Sequence, residues 1–142
     1  MSPRSIMLAS LTLGASIALA GPASADKMKA TLDSASEVPA NTSAGKGTAD
    51  IDFDPATKKL TWKLIYSDLT GPATMAHFHG PAEPGKNAGV AVPITPATSG
   101  SEGSATLTDA QAADLVAGRL YINIHTAAHP DGEIRGQVEK AM

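Results

Sequence analysis

The four histidines of this 142-residue chain fall in two short segments, His77 and His79 in one, His125 and His129 in the other. His77 and His79 lie two apart in Ala73 to His79, which reads as extended. In a strand, residues two apart project to the same face with α-carbons about 6.5 Å apart. Two imidazoles so placed can converge on one ion, while Phe78 between them points the other way, into a core that would hold the strand beneath both rings. In the second segment Leu120, Ile122 and Ile124 alternate with Tyr121, Asn123 and His125, so His125 stands opposite the aliphatic stripe, at a strand end. His129 follows in the turn before Pro130, within loop reach of His125. His77, His79, His125 and His129 therefore form the candidate metal site. The alternative for each ring is a solvated surface group.

The chain has no cysteine, so a metal here must take imidazole, carboxylate or thioether ligands. All-imidazole ligation suits Cu(II) or Zn(II), and the Irving–Williams order puts copper first and zinc second. Met75 shares the face of His77 and His79 by the same count, as a thioether for Cu(I) or as an ordinary rim methionine. Glu83, Asp131 and Glu133 lie near the histidine segments in sequence. Each is either a hydrogen-bond acceptor for a ligand's second ring nitrogen or a solvated charge. The chain shows no Ser/His/Asp order, no G-x-S-x-G and no phosphate loop, so hydrolase and nucleotide chemistry have no support.

The elements that must position these residues are short alternating segments separated by Gly, Pro, Asn and Ser clusters, the pattern of an all-β sandwich. Met28 to Leu32 reads as a first strand. Ala49, Ile51 and Phe53 then face one way in Thr48 to Asp54, a turn follows at Asp54 to Lys58, and Leu60, Trp62, Leu64 and Tyr66 line the returning strand. Ala73 to His79 is followed by a Gly/Pro/Asn-rich loop from Gly80 to Gly89, then by Val90 to Ile94 and a weaker strand at Gly103 to Leu107, after a Gly/Ser patch at Ser99 to Ser104. Thr108 and Gln111 form a capping box at the head of one short helix ending near Gly118. Arg119 to Thr126 and Glu133 to Glu139 are the last strands, joined by the turn at His129 to Gly132. The expected fold is an all-β, Greek-key β-sandwich or flattened barrel of about seven or eight antiparallel strands with one short helix.

Residues 1–25 carry one positive charge, Arg4, then an apolar run from Ile6 to Ala20, and close on Ala23-Ser24-Ala25. These are the marks of a secretory signal peptide too short in its apolar run to span a membrane. Residues 26–142 then form a single domain of ordinary size, exported to the periplasm or secreted, with no membrane contact once the leader is removed. Eleven Lys and Arg against fourteen Asp and Glu give a net charge of −3, which argues against a nucleic-acid surface. The expected partners are a metal ion and a second copy of the chain, for which His129 would be either a fourth ligand within one chain or one shared across the dimer.

Glu37-Val38-Pro39, Ala76-His77-Phe78-His79-Gly80-Pro81-Ala82, Ala117 to Thr126 and Asp131 to Val138 together resemble the CHRD domain, named from chordin, over about residues 28 to 138. A His-x-His strand followed by a strand-end His is also similar to the copper side of the Cu/Zn superoxide dismutases. That likeness implies His77, His79 and His125 as copper ligands and Arg135 in the place of the arginine that guides superoxide. The chain departs from the dismutases in lacking disulfide cysteines, a zinc-binding loop and a bridging histidine. Three functions follow as expectations. The first is a periplasmic copper-binding protein for storage, delivery, tolerance or electron transfer, and the second a copper-only, superoxide dismutase-like enzyme. The third is a metal-free extracellular interaction module.

Overall fold

The computed structural model describes residues 14–17 and 24–142; most of the expected leader lies outside the described residues. The strands are β1 (Asp26–Asp33), β2 (Lys46–Asp54), β3 (Lys59–Ser67), β4 (Ala73–His79), β5 (Val90–Pro93), β6 (Ser101–Thr106), β7 (Tyr121–Thr126), β8 (Ile134–Gln137) and the two-residue β9 (Glu139–Lys140). One helix, α1 (Asp109–Val116), separates β6 from β7. All pairings are antiparallel, and eight strands run in the order β5-β4-β7-β8-β1-β2-β3-β6, with β9 added beside β1. The all-β, nearly closed barrel or sandwich with one short helix is therefore the fold the alternation predicts.

Period-two patterning sets the core. Ala49, Ile51 and Phe53 of β2 and Leu60, Trp62 and Leu64 of β3 turn inward in register, Ile51 opposite Trp62 and Phe53 opposite Leu60. The other half of the sheet supplies Ala76 and Phe78 from β4, Ile122 and Ile124 from β7, and Ile134 from β8. Phe78 meets Trp62 edge to face at 5.3 Å between ring centroids, so the two halves of the sheet are packed across one interior.

The helix is capped as its residues dictate: the Thr108 hydroxyl accepts from Gln111 N–H, and the Gln111 amide oxygen accepts from Thr108 N–H. Of the boundaries that differ from expectation, two have a visible packing cause. β6 begins at Ser101, inside the Gly/Ser patch, because Gly103 pairs with Trp62 and a Cβ there would stand 2.6 Å from the indole. The last strand is interrupted at Val138, whose buried side chain joins the core while its N–H donates to Leu120 O rather than to β1.

Candidate metal centre

β4 and β7 are adjacent, and their register places Met75 opposite His125, His77 opposite Asn123, and His79 opposite Tyr121. Met75, His77 and His79 share the outward face of β4, and Tyr121, Asn123 and His125 share that of β7, so sheet pairing gathers three of the four histidines. One ring nitrogen from each of His77, His79 and His125 lies within 4.8 Å of the other two. The ring centroids are 5.3 Å apart for His77 and His79, 5.1 Å for His77 and His125, and 6.2 Å for His79 and His125.

The outward face of this half of the sheet is nonetheless covered. Every residue of β7 is buried, including the outward Tyr121, Asn123 and His125, because the 80–89 loop and the segment after β1 lie over it. The loop supplies the Ala88 carbonyl, 3.0 Å from His79 Nδ1, and the turn after β7 supplies the Pro130 carbonyl, 2.8 Å from His125 Nδ1. A carbonyl only accepts, so both rings carry a proton on Nδ1, and Nε2 is the nitrogen left for a ligand. His79 Nε2 is buried with no partner. His125 Nε2 faces His77 Nδ1 at 3.2 Å, one nitrogen donating to the other.

Those positions fit an ion. Nitrogens bound to one tetrahedral metal at about 2.0–2.1 Å stand roughly 3.3 Å apart, close to the His77–His125 separation already present. Burial lowers the pKa of His77, and the neighbouring His125 and His79 lower it further. Burial also lowers that of His79, with the Ala88 hydrogen bond and the neighbouring Asn123 amide opposing and His125 and Arg135 reinforcing. Both rings are therefore neutral at neutral pH, the state a metal ligand requires.

The partners of the second ring nitrogens are backbone carbonyls rather than Glu83, Asp131 or Glu133. The 80–89 loop returns antiparallel to β4, with Gly80 N–H on Gly89 O, and this turns Ala88 onto His79. Glu133 instead receives Ser43 Oγ–H at 3.0 Å, Thr70 N–H at 2.9 Å, Thr126 Oγ1–H at 2.8 Å and the Thr70 hydroxyl. Burial tends to raise its pKa, and these hydrogen bonds outweigh that and hold the carboxylate below its usual range.

His129 lies outside the three-histidine group; its Nε2 is 3.8 Å from Glu133. Met75 is half exposed beside His125. Arg135 is fully buried, its guanidinium 3.5 Å above the Tyr121 ring and bonded to Asn87 Oδ1 at 3.0 Å. Tyr121 in turn stacks on His79 at 4.9 Å with 5° between planes, and its hydroxyl is bonded to Ala88. Imidazole, phenol and guanidinium form one column on which His79 is seated. The alternation of β7 placed Tyr121 on the histidine face and composition marked the 80–89 loop, but nothing in the sequence showed that this loop buries the column.

The described residues include no helix long and apolar enough to cross a membrane. Neither the curated proteins nor the solved structures compared with this chain include a match. The family model of the CHRD domain matches residues 28–138, from β1 through the end of β8 and including all three clustered histidines. The chain belongs to the CHRD domain family.

Proposed function

We propose that the protein is an exported copper-binding protein in which His79 and His125 ligate through Nε2 and His77 completes the set. The observation that carries this reading is the buried, unpartnered Nε2 of His79 in a three-histidine group whose other two rings meet nitrogen to nitrogen at 3.2 Å. An orphaned buried acceptor costs stability unless something binds it, commonly about 1–3 kcal/mol. Three imidazole nitrogens without thiolate suit a borderline cation, and the affinity order favours copper over zinc. The periplasm or cell exterior is the compartment proposed, on the leader-like residues 1–25.

Bound copper would supply one-electron exchange between Cu(II) and Cu(I). The protein's own residues orient the ligands through two backbone carbonyls, keep two rings neutral, and shield the site with the 80–89 loop. Storage, delivery, tolerance or electron transfer are the roles such a site serves. A second reading, a copper-only dismutase-like enzyme, draws support from the half-buried His77, which leaves an approach from solvent. Arg135 does not serve that approach, since it lies under the loop against Tyr121.

The test is copper content of protein purified from the periplasm, beside a His77→Ala/His79→Ala variant, with electron paramagnetic resonance of the Cu(II)-titrated protein. Stoichiometric copper with nitrogen hyperfine structure, lost in the variant, is the expected result. A wild type that binds copper no better than the variant overturns the reading, and a superoxide assay on loaded protein separates the two roles.

A further inference from the structure

Two carboxyl side chains are buried among the described residues, Glu37 and Glu133. Glu133 is saturated with donors. Glu37 is not. Its Oε1 is buried without a partner, as is Oδ1 of Asn123 beside it, and as is Nε2 of His79 beyond that. The Asn123 amide lies against both the Glu37 carboxyl and the His79 ring. Gly132, at φ 128°, makes room for this contact: a Cβ there would stand 2.3 Å from Glu37 Oε1 and 2.8 Å from Asn123 Nδ2. A line of three unpartnered polar atoms thus runs from a candidate ligand to a buried carboxyl. Glu37 also lines a surface cavity of about 170 Å³ shared with His129 and Asp131, which gives its proton a way out.

We propose that Glu37 is the proton-carrying charge compensator of the histidine site: it holds a proton in the metal-free protein and releases it to solvent when a dication binds. The inference rests on the metal reading above. Three imidazoles bring no negative charge, and Arg135 is already buried beside the site, so a bound dication adds to a local positive excess. Breaking the Glu37 O–H bond leaves a carboxylate that offsets it, with Asn123 between the two charges. The groups facing Glu37 are Arg135 of β8, which favours ionisation, Asp131 in the preceding turn, which opposes it, and His129 across the cavity; the 80–89 loop offers only Pro84 and Gly85 on the other side. Burial dominates, and the carboxyl is pushed up to about 7. It can therefore exchange a proton at neutral pH, where ordinary carboxyls, titrating near 4, cannot.

Calorimetric titration of Cu(II) into the metal-free protein, in buffers of different ionisation enthalpy at pH 6, 7 and 8, counts the protons released by wild type and Glu37→Gln. At pH 7 wild type is expected to release close to half a proton more per copper than the variant. For a coupling of one pKa unit, the variant binds about tenfold more weakly at pH 8 and within about twofold of wild type at pH 6. Equal proton counts in the two proteins, with copper bound by both, overturn this proposal and leave the copper reading standing. Absence of copper binding by wild type overturns both. If the variant fails to fold, infrared difference spectra of wild type decide: a protonated-carboxyl band at pH 6.5 that Cu(II) bleaches supports the proposal, and a band unchanged by Cu(II) defeats it.

Discussion

The Glu133 hub and the Glu37–Asn123–His79 line are both buried polar clusters outside the apolar core, and they are built in opposite ways. Around Glu133, the hydroxyls of Ser43, Thr70 and Thr126 and the Thr70 N–H all converge on one carboxylate, so the charge is fully solvated by protein and pins three chain segments together. Along the other line Glu37 Oε1, Asn123 Oδ1 and His79 Nε2 are all left without partners. A folded chain tolerates few such atoms, because each forfeits its hydration with nothing in return. The first cluster holds the fold together, whereas the second has unmet bonding capacity, which the proposed metal and proton would fill.

The largest effect should come from emptying the saturated cluster. Glu133→Ala strands four donors and is expected to cost about 3–5 kcal/mol in urea unfolding at pH 7. A loss below about 1 kcal/mol would remove the hub from the account of stability. The wild-type contribution of this low-pKa carboxylate is present above its unfolded value, near 4.5, and is lost as the pH falls below that.

Glu37 should tilt stability the other way. Its folded pKa of about 7 lies above the ordinary carboxyl value of 4.5, so its stability contribution is complete below about pH 4.5 and lost as the pH rises through 7. Metal-free Glu37→Gln should therefore be more stable than wild type at pH 8, by about 3 kcal/mol at most, with the gap closing toward pH 5. A variant less stable than wild type at both pH values would mean that Glu37, like Glu133, serves structure.

Tyr121→Phe keeps the stack on His79 and removes the hydroxyl bonded to Ala88. About 1 kcal/mol of stability should go, and hydrogen exchange should quicken at Ala88 before it does in β7. The smallest effect belongs to the solvated side of the barrel, where Lys27 and Asp52 form an exposed ion pair at 2.6 Å. Lys27→Ala should change stability by no more than about 0.5 kcal/mol, and less in high salt. A larger change there would blur the contrast between the covered and open faces.

Much of this molecule was legible in its residues. Alternation in Thr48 to Asp54 and Leu60 to Tyr66 gave the first hairpin and its inward face, Thr108 and Gln111 gave the helix start, and His-x-His gave two rings on one face. These are local statements, because a period of two residues and a capping box are settled within a few bonds of the residues concerned.

What tertiary structure alone decided is which distant segments meet. Pairing of β4 with β7 set His125 beside His77 across 48 positions of sequence, while a turn of four residues carried His129 away to Glu133. The 80–89 loop and the segment after β1 converted an outward face into a buried one, recruited the carbonyl of Ala88 in place of a carboxylate, and brought Glu37 against Asn123. Sequence encodes which way each side chain points from its own strand. Whether that direction leads to water, a histidine or a buried charge depends on strand order and loop cover, which are properties of the whole chain's packing.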